Sequence, residues 1–570
     1  MKEFDEATAW YKLLKMHRFQ NFHERGDHPK EHPKTVTGVI ERKSMKKVVL
    51  LTLVLSVIAG NTLFAATPRD TLIMASKLDD VITLDPAEVF EFTGAELTVN
   101  MYDRLIGYDV EDVSKIHGVV AESWDISEDG RTYSFKIVDS MKFASGNKLT
   151  ADDVVFSLQR VIQLNKSPAF LLTQFGFTPA NMNERIVKNG DYSVKLIIDK
   201  PYAPTFFLYC LTSTPGSIVD KQEVLKHEEN SDMGYGWLKT HSAGSGPFAL
   251  TSWKPSEILI MAANEHFHGK KTAMKRIIIR HISESATQRL LLEKGDIDIA
   301  RNIQPDDLKG LAGNPTIRIR KKAKGAIYYL GLNQKNQYLK IPQVRQALKY
   351  LIDYAGMEST LLSGKATVHQ AFLPQGFLGA LEETPFSLNV EKAKGLLKEA
   401  GLEKGFTVTM DTRNTEPSTS MALAIQATFA LADIKLEIIP GEGKQVLTKY
   451  RERAHDIFIG RWGPDYMDPH TNADTFARNP DNSDAGQSKT IAWRNAWDIP
   501  DMTRKVDAAI LERDGKKRAR MYLEIQREHQ QSAPFVIMFQ DIEILAERSN
   551  VNGFILGPSF DSNFYRFITK

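Results

Sequence analysis

The chain has 570 residues, 42% of them hydrophobic and 25% charged, with a formal net charge of +2 and a single cysteine. That length exceeds one hydrophobic core and implies two or three lobes of ordinary globular composition. Residues 1–65 carry 11 Lys+Arg against 7 Asp+Glu, which leaves 62 against 64 for the rest, so the near-neutral body gives no electrostatic case for nucleic acid.

The first predicted element is a targeting segment. Met45-Lys46-Lys47 opens an apolar run, VVLLTLVLSVIA, that leads to small residues at Ala65-Ala66. A charged start, a short apolar stretch and a small-residue exit read as a secretory signal peptide over 45–65, and the run is shorter than the roughly 20 apolar residues of a membrane span. An uncleaved anchor is the alternative. Residues 1–44, with Trp10, Tyr11 and the tract from His28 to Lys34, then read as an extension from too early a start codon, Met45 being the true start. Cys210 stands in FFLYCL, which predicts a buried thiol; no cysteine follows the signal, which excludes lipid attachment there.

Beyond the signal, 71–75 reads as a strand ended by Leu84-Asp85-Pro86, with a helix at about 95–105. Residues 119–161 predict a strand, a turn at Glu128-Asp129-Gly130, a half-buried strand alternating Tyr133, Phe135 and Ile137, and a turn at Gly146. A helix follows with Thr150 as N-cap, Asp152 and Asp153 in its first turn, and Val154, Val155, Leu158 and Val161 on one face. After Gly244-Ser245-Gly246-Pro247 come Trp253, strands at 258–262 and 276–282, and a helix closed by Gly295-Asp296-Ile297-Asp298-Ile299. A third block holds Tyr328-Tyr329-Leu330-Gly331-Leu332-Asn333, Val344-Arg345-Gln346-Ala347-Leu348 and Glu391-Lys392-Ala393-Lys394, and a last strand is expected at 456–459.

The segment 119–161 closely resembles the signature of bacterial extracellular solute-binding protein family 5, the oligopeptide, dipeptide and nickel-type receptors of ABC importers. The Gly-Ser-Gly-Pro strand start, the Trp turn, the Gly-Asp-Ile-Asp segment and the third block follow in the family's order, so the similarity spans essentially 70–570. The resemblance implies an α/β, two-lobed periplasmic-binding-protein fold (type II, cluster C) with an extra subdomain and a hinge of crossing strands. Lobe I would be 66–110, 236–325 and 540–570, the extra subdomain 111–235 and lobe II 326–539. It also implies a monomeric periplasmic receptor, without cofactor or metal, that captures a short peptide or peptide-like amine and delivers it to ABC transporter permease subunits in the inner membrane. A nickel chelate, haem, opine or oligosaccharide is the alternative cargo; an exported hydrolase or chaperone is the remote alternative.

The strongest site candidate is Arg461-Trp462-Gly463-Pro464-Asp465-Tyr466-Met467-Asp468-Pro469, because a Gly-Pro turn after a strand presents side chains at the strand end. In peptide receptors of the family the matching Trp-x-x-Asp-Tyr sets its Asp, here Asp465, against the ligand's α-ammonium, a charge-assisted contact suited to a closed cleft. The plainer reading of Asp465 is a turn cap. Trp462 lines a pocket or packs the strand end, and Asp468-Pro469 reads as an Asx turn. Arg461 and Arg413 are candidates for the ligand carboxylate, whose geometry a guanidinium matches, or are surface charges. The resemblance further puts Arg301 and Asn302 where lobe I meets ligand, Tyr329 in the lining, and Phe92 in a stretch, Glu91-Phe92-Thr93, whose backbone pairs with peptide as an added strand. The chain has no H-E-x-x-H, G-x-x-x-x-G-K-[ST] or G-x-S-x-G, and so no catalytic residue is assigned; His266 and His268 read as loop packing.

Overall fold

The computed structural model describes residues 67–486 and 488–570. The signal peptide expected at 45–65 and the extension 1–44 lie outside the described residues.

The first strand, Thr71–Ser76, lies between two parallel neighbours, Arg276–His281 and Ile299–Ala300. Ile258–Ala263 and Phe248–Lys254 extend that side in antiparallel fashion. A second group holds Lys435–Gly441, Thr407–Arg413 and Ile457–Trp462, paired in parallel. Two long antiparallel strands, Ile317–Leu332 and Phe535–Arg548, join the groups into one 11-stranded sheet.

The sequence of the first crossing strand changes character halfway. Residues 317–323 mix apolar positions with Arg318, Arg320, Lys321 and Lys322 and are at least partly open to solvent, whereas every position from Lys324 to Leu332 is buried. The ladder between the two strands slips between Ala323 and Ile327. There the Gln540 side-chain amide donates to the Lys324 carbonyl at 2.9 Å, and its oxygen accepts from the Gln375 backbone N–H at 2.9 Å. Gly325 is required at this point, since a Cβ would stand 2.8 Å from the Pro464 ring.

The segment 119–161 folds as its pattern predicts. Ala121–Ile126 and Thr132–Ile137 pair within a four-stranded antiparallel sheet, and the helix is Ala151–Leu164. Tyr133, Phe135 and Ile137 are buried against Val154, Leu158 and Val161. The Thr150 backbone N–H and hydroxyl both donate to the Asp153 carboxylate, at 2.9 and 3.0 Å, which gives the helix a defined start. Elsewhere bounds move: the helix expected at 95–105 is Phe92–Met101, the Gly-Asp-Ile-Asp segment contributes only Ile299–Ala300 as strand, and the strand expected at 456–459 is Ile457–Trp462.

The largest apolar cluster continues from this small sheet through the helix Pro204–Leu211, which buries Cys210, to Tyr466, Phe476, Tyr522 and Phe535. Along that contact the Ala203 N–H donates to the Ile510 carbonyl at 2.9 Å and the Thr205 hydroxyl to Asp468 at 3.1 Å. Asp468 is more than a turn residue. It accepts from the His470 N–H at 2.9 Å, as an Asx turn does, and also holds Arg518 at 2.6 and 2.7 Å with both side chains buried.

Candidate functional site

A cavity of about 890 Å³ opens where the strand Ile457–Trp462 ends, closed in by Phe90 and Phe92, Ser213-Thr214-Pro215 and Phe560. It runs into a neighbouring cavity of about 560 Å³, with Phe92, Tyr328, Arg413, Arg461 and Phe560 on the wall of both. Each volume is of the size that holds a small ligand.

Asp465 faces the larger cavity. Its backbone N–H donates to the Thr471 hydroxyl at 3.1 Å, so the turn is held through the main chain. No hydrogen bond or ion pair among the described residues reaches its carboxylate. Burial, and then the neighbouring Asp474 carboxylate, push its pKa up to about 7. Asp474 lines the same cavity but is matched by Arg478 at 3.3 Å. The sequence reading missed Asp474, whose i,i+4 pairing with Arg478 looks like any surface helix pair. An unmatched, half-buried carboxylate on a cavity wall is chemically a site for a cation that also donates hydrogen bonds.

The two arginine candidates differ. Arg461 pairs with Asp541, and its guanidinium lies 5.1 Å from the Phe92 ring centre and 5.5 Å from that of Phe560. Burial works against its charge, but Asp541 outweighs that and raises its pKa. It is thus already neutralised. Arg413, at the end of the strand Thr407–Arg413, lines both cavities and has no acidic partner among the described residues. Arg494, in the short helix Ile491–Arg494, also lines the larger cavity and was missed, because four residues carry no helical period to read.

Trp462 lines the cavity and meets Phe476 edge-on at 5.8 Å, so it does both things its position allowed. Tyr329 sits in the wall but deep, with its ring against Phe458, Phe476 and Phe535; burial first, and Tyr450 next, raise its pKa. Gly460 makes that depth available: a Cβ there would lie 2.6 Å from the Tyr329 ring.

Three expectations change. Arg301 is held by Glu96 at 2.5 and 2.8 Å and by Glu543, with the guanidinium nearly closed to solvent, so two carboxylates already claim its charge. Asn302 borders the smaller cavity but spends its side-chain oxygen on the Lys77 N–H at 2.8 Å. Phe92 begins a helix and so offers no extended backbone for strand pairing; its ring instead stacks on Phe560 at 4.1 Å. Gly463 admits that ring, which a Cβ would approach to 3.1 Å.

The chain matches the family described as bacterial extracellular solute-binding proteins, family 5 Middle, over residues 115–484. It belongs to that family. The family 5 chain is 29% identical over 509 residues to the probable D,D-dipeptide-binding periplasmic protein DdpA of Escherichia coli (strain K12), covering 88% of this chain and 94% of that one. It is 25% identical to the dipeptide-binding protein of the same organism, over 91% and 98% of the two chains. Among solved structures it is similar to the ABC transporter-associated periplasmic binding protein DppA from Helicobacter pylori in complex with peptide STSA, with TM-score 0.73, 25% identity and coverage of 88% and 98%. The fold is therefore the α/β type II periplasmic-binding-protein fold that the sequence implied, and the family is one of receptors.

Proposed function

We propose that this family 5 protein is the periplasmic receptor of an ABC importer for short peptides, exported by the signal at 45–65 and free of a lipid anchor. Asp465 carries the reading. A half-buried carboxylate without a partner, facing a cavity that also holds the unpaired Arg413, is complementary to a molecule with an ammonium at one end and a carboxylate at the other. Phe90, Phe92, Trp462 and Phe560 supply apolar walls for side chains. Trp462 acts as a wall, Tyr329 supports it from behind, and Arg461, Arg301, Asn302 and Phe92 shape the cleft without taking ligand charge. The ligand closes lobe I (66–110, 236–325 and 540–570) and the subdomain 111–235 on lobe II (326–539) around the slip in the crossing strands. The closed monomer is what permease subunits in the inner membrane engage.

A thermal-shift screen with calorimetry on the hits tests this. Dipeptides and tripeptides of L and D configuration are compared with their N-acetylated forms, opines, oligosaccharides, haem and nickel–histidine. Free-amine peptides are expected to bind one-to-one and stabilise the protein, with acetylation abolishing the effect. Binding confined to haem, nickel, opine or sugar overturns the peptide reading.

A further inference from the structure

We propose that the cargo carries two acidic groups, one held by Arg413 and the other by Arg494, so that the preferred peptide ends in an acidic residue. The inference rests on the peptide reading and adds a substrate class to it. It comes from matching every charge on the cavity wall with its partner. Arg461 is matched by Asp541, Asp474 by Arg478 at 3.3 Å, and Asp561 by Arg104 at 3.5 Å. Of the remaining acids, Asp465 is half-buried and Glu416 is exposed. Of the remaining cations, Arg413, Arg451 and Lys489 are exposed and Arg494 is half-buried; Arg413 differs from Arg451 and Lys489 in lining both cavities.

Arg494 is the decisive member. Its Nε is sealed from solvent and has no hydrogen-bond partner, and its guanidinium lies 5.6 Å from the centre of the Tyr450 ring. A buried donor left unpaired marks a place where an acceptor belongs. Arg413 and Arg494 both line the larger cavity, where neither has an acidic partner among the described residues. A peptide with a single carboxylate satisfies Asp465 and one arginine, and closure then strands the other charge away from water. A second carboxylate removes that cost and meets a planar fork suited to it.

The test is calorimetry on the full chain with Ala-Glu and its neutral isostere Ala-Gln, each in the L,L and D,D series. The acidic peptide is expected to bind at least about tenfold more tightly, the effect of one charge-assisted hydrogen bond. Arg494→Gln is expected to bring the Ala-Glu to Ala-Gln affinity ratio to within about threefold, and Arg494→Lys to restore part of the preference. The ligand-free thermal midpoint reports whether a variant folds, and Arg413→Gln gives a second route to the same ratio should Arg494→Gln not fold. Equal binding of the two peptides, or a ratio that neither variant moves, overturns the inference and leaves the peptide reading standing. Binding of neither, in either series, overturns both.

Discussion

Asp465→Asn separates the two readings of that residue through opposite effects on the empty and the filled protein. The substitution keeps the shape of the side chain and leaves the bond from the backbone N–H to Thr471 in place. In the empty protein the pKa near 7, against an ordinary value near 4, means that the folded state binds the proton more tightly than the unfolded state. The contribution of Asp465 to stability is therefore greatest below about pH 4 and falls as pH rises towards 7, by up to about 4 kcal/mol before water in the cavity screens it. Asparagine removes that loss, and at pH 8 the empty variant is expected to be about 1–2 kcal/mol more stable than wild type. Peptide binding moves the other way, since an ammonium facing an amide loses about 2–4 kcal/mol, some 30- to 1000-fold in affinity. Wild-type affinity should also climb between pH 5 and 7.5 as Asp465 ionises, while the variant stays flat. Urea unfolding and calorimetry across that range supply both numbers. An unchanged affinity, or an empty variant less stable at every pH, would refute the ammonium role and leave a turn cap.

Asp468→Ala strands the buried Arg518 guanidinium and is expected to cost about 3–5 kcal/mol in urea unfolding, whereas Asp468→Leu combined with Arg518→Met costs far less. Burial raises the pKa of Glu543, but Arg301 and Lys324 outweigh it and bring it down to about 2, so its stabilisation is present above the ordinary value near 4.3 and lost as pH falls towards 2. Glu543→Gln should accordingly flatten the acid limb of a stability-against-pH curve as well as lowering stability at pH 7. Gly460→Ala sets a methyl against the Tyr329 and Phe458 rings and is expected to lower the thermal midpoint at a cost of about 1–3 kcal/mol.

The elements of 119–161 were legible because they are locally determined: a Gly turn, a capped helix and an alternating strand each follow from near neighbours in sequence, and each is present, while the family and its fold came from the resemblance of that run and the blocks after it. The cavity wall was legible where it lies at the end of a strand, since Asp465 and Trp462 both line it. It was not legible where a charge is settled by a residue far away in sequence. Nothing near Arg301 announces Glu96 and Glu543, and nothing near Arg461 announces Asp541. Arg494 was hidden for the converse reason, since the lack of a partner is a property of the folded cavity alone. Phe92 was misread because relatives suggested strand, while the stretch Phe92–Met101 folds as a helix.

The slip between Ala323 and Ile327, bridged by the Gln540 side chain, has a bearing on cargo release. A sheet normally resists bending because bending tears its ladder. Here the ladder is already interrupted, and the Gln540 amide spans the gap, so on the proposed two-lobed reading this is where the sheet bends most easily. On that proposal grip and gape are set in different places: changes to the cavity wall would alter how firmly cargo is held, while the ease of parting the lobes would stay with a handful of residues around Gln540.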